Sequence, residues 1–335
     1  MKIRLLIATC DTDYAERLSG YISVHCEDTI DVCVCKVLET LSEALSTQKH
    51  DVALMDVKML GSVDTSSIHL PLLLWSEDEP ADDVPEWIKA IPKYQRISSI
   101  VTGILEHYAK VSKNKTGLNP ETANITAMWS PTGGVGKTTV ALAYAASKVK
   151  EGRQVLYLNL EAFSSVPAYF GEKGKSISSV FEMLERHEGN VKMLIKGICC
   201  CEDGISYLCS PDNFDDIYAL SAENVTELVS SCADVTDELI VDLSCECDSR
   251  TRQIFELSDK VMLVTDPTVA AQTKLSQFVS QNSIFDIIQE KTMLVANKGA
   301  AINSPPGGAV ISLPLVQSTE TSAVYKALSV SGFSS

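Results

Sequence analysis

No apolar run in this chain approaches the ~20 residues that a helix needs to cross a bilayer, so membrane insertion is not expected. There is no basic block either. Lys and Arg total 28 against 44 Asp and Glu, a formal net charge of −16. The imbalance runs through the whole chain: positions 1–115 hold 12 basic and 18 acidic residues, and the remainder holds 16 and 26. Nucleic-acid binding without sequence preference draws its affinity from neutralised phosphates, and anionic lipid recruits basic clusters, so both partners are disfavoured. The opening MKIRLLIATC meets Asp11 and Asp13 too early for the apolar region of a signal peptide. It reads as a short first strand, and the expected location is the cytoplasm. No C-x-x-C spacing occurs among the 11 cysteines. Cys199-Cys200-Cys201 and Cys245-Glu246-Cys247 lack the two-residue gap that lets two thiolates share one tetrahedral metal. Reduced, mostly buried thiols are the plainer reading.

What is present suits an α/β protein. The 335 residues are enough for two ordinary domains, and 45% hydrophobic with 21% charged content is usual for a globular chain. A polar stretch, KVSKNKTGLNPETAN, separates two series of alternating strand-like and helix-like segments. Before it come IRLLIA and IDVCVCK as strands, DYAERLSGYI and LSEALST as helices, DVALMD, LPLLLW and WIKAI as three further apolar segments, and ISSIVTGILEHYAKV as a closing helix. After it come ITAMW, VLYLNL, ELIVDL, KVMLVTD and TMLVANK as strands. Such alternation implies parallel sheets covered on both faces. Two open, doubly wound sheets are expected: a domain at 1–115, a connector at 116–124, and a second domain at 125–335.

The stretch SPTGGVGKTTVALAYAA, Ser130 to Ala146, sits between the strand ITAMW and a helix-prone segment, the context a phosphate-binding loop requires. Gly133, Gly134 and Gly136 allow backbone conformations closed to bulkier residues and bring N–H groups toward phosphate oxygens. With Val135, Thr138 and Thr139 they form the expected cradle for ATP. Lys137 would reach the β- and γ-phosphates, and the Thr138 hydroxyl would ligate Mg²⁺. The strict G-x-x-x-x-G-K-[ST] pattern is not met, because Pro131 occupies the first glycine position. Asp242, near the end of ELIVDL, stands where P-loop proteins keep the carboxylate that holds Mg²⁺, often through water.

With these residues in view, the second half resembles the MinD/ParA class of P-loop ATPases. The resemblance implies an ATP-linked homodimer, with a signature lysine of each subunit reaching the other's phosphates. It also implies that Asn297, ending TMLVAN, contacts adenine. Three positions depart from the pattern. Thr132 stands at the signature-lysine position. Asn159 and Glu161 replace an aspartate pair whose second member positions the attacking water. Ser244-Cys245 replaces two prolines. Binding rests on the loop, Lys137 and Mg²⁺, all present. Hydrolysis leans on transition-state charge, for which an added cation contributes a factor of ~10³ or more. ATP is therefore expected to bind well and turn over slowly, with Lys137, Glu161 and Asp242 as the catalytic candidates.

Residues 1–115 resemble a response-regulator receiver domain. Asp56 falls at the phosphoacceptor position, Ser76 at the usual Thr/Ser, and Lys93 near the lysine. The acidic pair after the first strand is replaced by Thr9 and Cys10, with Asp11 nearby. A degraded receiver ahead of a MinD/ParA-like ATPase resembles the arrangement of TadZ/CpaE-type pilus assembly proteins. That implies a localisation or assembly factor at the cell pole whose partners are components of a Tad (Flp-type) pilus secretion machine. Two alternatives stay open: a phosphorylation-controlled, MinD-like positioning ATPase for another envelope machine, and a metal-cluster-handling P-loop protein using Cys245 and Cys247. The C-terminal SAVYKALSVSGFSS, with one lysine, is not expected to act as a membrane-binding helix.

Overall fold

In the computed structural model, residues 2–27, 29–65, 68–76, 84–85, 87–112, 123–171, 174–187, 189–301, 308–318, 320–331 and 333 are described. They fall into two compact units, Met1–Asn114 and Lys115–Ser335. Of the connector expected at 116–124, positions 116–122 lie outside the described residues; Asn124 already belongs to a strand.

The first unit contains β1 (Ile3–Ala8), α1 (Thr12–His25), β2 (Ile30–Cys35), α2 (Leu38–Thr47), β3 (Val52–Met55), α3 (Val57–Leu60), β4 (Leu70–Trp75), β5 (Lys89–Pro92) and α4 (Ile97–Val111). The strands lie in the order β2-β1-β3-β4-β5, all parallel. This is the flavodoxin-type order, and its switch point, where ligand crevices form, lies between β1 and β3. Alternation along β1 explains why both faces need cover. Leu6 and Ala8 join one cluster with Leu41 of α2 and Met59 of α3, while Leu5 and Ile7 are equally buried on the other side.

The second unit runs β6 (Asn124–Trp129), α5 (Lys137–Lys150), β7 (Val155–Leu160), α6 (Ser178–Arg186), α7 (Val191–Ile198), β8 (Cys200–Glu202), β9 (Ile205–Tyr207), α8 (Asp215–Ala219), α9 (Ala222–Ala233), β10 (Glu238–Leu243), α10 (Ser249–Leu257), β11 (Lys260–Thr265), α11 (Val269–Val279), α12 (Asn282–Ile288), β12 (Thr292–Ala296), β13 (Ala309–Ser312) and α13 (Thr321–Ser331). Its sheet order is β13-β12-β11-β6-β10-β7-β9-β8. Among the described residues, only β8 and β9 pair antiparallel. The central strands β6, β7, β10 and β11 are almost wholly buried, as their continuous apolar runs require.

α5 is buried nearly all round, from Val140 to Ala145, because the sheet covers one side and α13 the other. Tyr157, Ile240, Met262 and Tyr325 belong to that core layer. On the opposite face Trp129 meets Phe255 edge-on at 5.6 Å and Phe278 at 4.6 Å. Among the described residues, no helix is long and apolar enough to cross a membrane.

Candidate functional site

Parallel strands deliver their C-terminal ends to one edge, and here four ends bring the expected residues together. β6 leads into the loop at 130–136, β7 into Glu161 and β12 into Asn297, while β10 carries Asp242 as its penultimate residue. Asp242 pairs in register with Met128 on one side and Asn159 on the other.

The loop reaches α5 through two left-handed glycines, Gly134 at φ 77° and Gly136 at φ 92°. At Gly136 a side chain is excluded twice over, since a Cβ would stand 2.6 Å from the Asn297 amide nitrogen. That nitrogen donates to the Val135 carbonyl at 2.8 Å. The Lys298 ammonium donates to the Gly134 carbonyl at 2.8 Å and pairs with Asp266 at 3.1 Å. Two consecutive loop carbonyls are thus held from outside by two consecutive residues. In a planar peptide the N–H points opposite its C=O, so this strap turns the N–H groups of Val135 and Gly136 away from Asn297 and Lys298. Lys298 and Asp266 were not among the sequence candidates. The sequence signal for Lys298 was the Asn297-Lys298-Gly299 run directly after a strand, which folds as a turn with positive φ at Lys298 (55°) and Gly299 (73°); Asp266 carried no signal beyond ending the run KVMLVTD.

Lys137 opens α5, is 6% exposed, and lies 3.6 Å from the Glu161 carboxylate. Burial raises the Glu161 pKa, and the negative Asp242 adds to the shift while Lys137 opposes it. Asp242 is fully buried, and burial raises its pKa too. One oxygen, Oδ2, accepts from the Tyr157 hydroxyl at 2.7 Å and the Asn159 amide at 3.2 Å. The other, Oδ1, makes no hydrogen bond among the described residues, although the Thr138 side chain is near enough to favour the charged form. A buried carboxylate oxygen left open beside a hydroxyl fits a Mg²⁺ site made by Thr138 and Asp242.

Thr139 is placed differently from its neighbours: its hydroxyl shares a 2.7 Å hydrogen bond with the Tyr169 hydroxyl. Thr132 donates its N–H to Ser130 Oγ at 3.1 Å, and its own hydroxyl oxygen is buried with no hydrogen bond among the described residues. Cys245 and Cys247 are exposed, and among the described residues no group of three or more His, Cys, Asp or Glu is gathered to hold a metal ion.

In the first unit Asp56 is buried and caps α3. Its Oδ1 accepts from the Met59 N–H at 2.8 Å, and its Oδ2 from the Cys10 N–H at 3.0 Å. Lys93 pairs with Asp11 at 2.9 Å beside the Tyr14 ring, and this hydrogen bond lowers the Asp11 pKa. Ser76 is buried at the end of β4.

No family model matches the sequence, and no curated protein matches it. Solved structures do. A ParA family ATPase from Chlorobium tepidum TLS is 18% identical, covering 63% of this chain and 93% of that one with a TM-score of 0.52. The septum site-determining protein MinD complexed with Mg-ADP from Pyrococcus horikoshii OT3 is 14% identical, covering 62% and 95% at 0.45. A putative plasmid partition protein from Borrelia burgdorferi B31 bound to AMPPNP is 15% identical, covering 62% and 96% at 0.46. At 18% identity the first likeness speaks to the fold alone, an open α/β fold shared with that ATPase.

Proposed function

We propose that this protein is an ATP-binding localisation and assembly factor that holds its nucleotide far longer than it cleaves it. The observation that carries the reading is the open, buried Asp242 Oδ1 in the same site as Thr138 and a glycine loop whose Gly134 and Val135 carbonyls are held by Lys298 and Asn297. The loop backbone and Lys137 would bind the phosphates. Thr138 and Asp242 would hold Mg²⁺, which neutralises charge on the β- and γ-phosphates.

Cleavage is poorly provided for. Thr132 brings no charge to the position where the resembled family keeps a lysine. Glu161 is ion-paired with Lys137 at 3.6 Å, so its carboxylate is engaged with the loop lysine rather than free to orient water. ATP would join two copies and slow hydrolysis would keep them joined. The resemblance to TadZ/CpaE-type proteins suggests that such a dimer serves a Tad pilus secretion machine at the cell pole, with the first unit as a docking module. Replacement of the acidic pair by Thr9 and Cys10, with Asp11 paired to Lys93 at 2.9 Å, favours docking over a phosphoswitch.

The test is a single turnover with labelled Mg·ATP, with Lys137→Ala as control. Bound, uncleaved ATP that is missing from the control is the expected result. Prompt phosphate release, also lost in the control, would replace the holding reading with a working ATPase.

A further inference from the structure

The outer edge of the second sheet carries thiols that the phosphate site does not use. In the β8–β9 hairpin Cys200 stands opposite Tyr207 and Cys201 opposite Ser206. Cys209 lies two residues beyond Tyr207, so strand alternation returns its side chain to the face that Cys200 occupies. Their sulfurs are 3.8 Å apart. Cys209 is 4% exposed within the main core cluster, and Cys200 is half-buried against the same cluster. Gly174 closes over both: a Cβ there would overlap the Cys200 sulfur and come within 3.2 Å of the Cys209 sulfur.

We infer that Cys200 and Cys209 form a thiol modification site, closed to an intramolecular disulfide by a small disulfide oxidant of the oxidised glutathione class. The Cys200 thiolate attacks one sulfur of the oxidant, forming a mixed disulfide and expelling one glutathione thiolate. Cys209, having given up its proton, attacks the Cys200 sulfur and expels the second. One protein S–S bond forms, the oxidant's S–S bond breaks, and two electrons pass to glutathione. The two thiol protons end on the released thiolates. The sulfurs must close from 3.8 Å to ~2.05 Å. A three-residue strand at the sheet's edge can yield by that amount.

The adjacent cysteines do not compete well. Burial pushes the Cys199 thiol up to about 12, which keeps it protonated and poorly nucleophilic. Cys201 is exposed, and as the neighbour of Cys200 along the strand it faces the opposite side of the hairpin. The closed link would pin β8 to the segment that continues through Asp212, whose N–H bonds Ser178 Oγ, into α8.

The experiment treats the full chain with oxidised glutathione, caps remaining thiols with an alkylating agent, and maps linked peptides by mass spectrometry. The expected product is a Cys200–Cys209 link in the monomer, with two fewer alkylated cysteines, reversed by dithiothreitol. In Cys209→Ser a glutathione adduct should persist on Cys200, because nothing resolves it. Three results would each overturn the assignment: a stable glutathione adduct on Cys200 of the unaltered chain, links involving Cys201 or a second copy instead, or full alkylation of both thiols after treatment. The first readout needs no variant, so a folding defect in Cys209→Ser leaves it decisive.

Discussion

The Lys137 ammonium faces the Glu161 carboxylate at 3.6 Å, so the lysine that would meet phosphate already has an anionic partner. Nucleotide must compete with that partner. A largely buried pair of this length is worth on the order of 1 kcal/mol, or ~5-fold in affinity. Glu161→Gln is therefore expected to bind Mg²⁺-free ADP several-fold more tightly than the unaltered protein, whereas Lys137→Ala loses most of the binding. The pH dependence follows from the raised Glu161 pKa. Acidification protonates Glu161 ahead of ordinary glutamates and releases Lys137, so ADP affinity of the unaltered protein should climb toward that of Glu161→Gln as pH falls. Titration calorimetry in EDTA at several pH values measures it, and parallel profiles for the two proteins would rule the competition out.

The two left-handed glycines make separable predictions. Gly134→Ala meets nothing within 4 Å and incurs only the left-handed backbone penalty of ~1–2 kcal/mol. Gly136→Ala incurs the same penalty and also pushes the Asn297 amide off the Val135 carbonyl. Thermal melts should therefore fall by a few degrees for Gly134→Ala and by about twice as much for Gly136→Ala. Equal losses would mean that the Asn297 contact adds nothing.

Asn297 separates strap from base reader. Removing its amide leaves the Val135 carbonyl without that donor, at a cost of ~1–3 kcal/mol. If the amide acts through the loop, Asn297→Ala lowers affinity for ATP and GTP by the same factor, about 10-fold. If it reads adenine, ATP suffers and GTP does not. Competition of both nucleotides against a fluorescent analogue distinguishes the two, and the equal loss is expected.

The strand pattern carried the fold because period and punctuation were local: GGVGKTT between a strand and a helix, and Asp242 near the end of ELIVDL, needed no tertiary information. The Lys298–Gly134 contact spans 164 positions, and nothing local marked Lys298 beyond a turn. Tyr157 was equally hidden: it reads as one apolar residue of VLYLNL, yet its hydroxyl reaches Asp242 across the sheet. The stretch from α6 to α9 offered neither glycine loop nor strong strand, and its helices take shape by packing on one another. Departures from the family pattern were legible as identities only. That Asn159 turns its amide onto Asp242 became visible only when β7 and β10 lay in register.

Asp56 is expected to behave as a cap. Incubation with labelled acetyl phosphate should leave it unlabelled, because Thr9 and Cys10 replace the acidic pair that would hold the metal and Asp11 is paired with Lys93. Asp56→Ala should destabilise the first unit by about 1–2 kcal/mol through loss of its bonds to the Met59 and Cys10 N–H groups. Label that appears on the unaltered chain and disappears in Asp56→Asn would restore the phosphoacceptor role.

Asp242 should trade stability for function. Burial raises its pKa, so the folded protein holds this proton more tightly than the unfolded chain does. Its contribution to stability is then greatest below the ordinary aspartate value and declines as pH rises through the window up to the raised folded pKa. At neutral pH the buried charge is a standing cost that Mg²⁺ would relieve. Asp242→Asn removes the charge while its carbonyl still accepts from Tyr157 and Asn159, and its new amide can donate to the Thr138 hydroxyl. The variant should melt about 2–8 °C higher than the unaltered protein without nucleotide. It should also gain no stability from Mg²⁺ added to ADP, where the unaltered protein gains several degrees. A lower melting temperature for Asp242→Asn would show that the carboxylate is compensated within the fold, and the case for a metal at its open oxygen would fall with it.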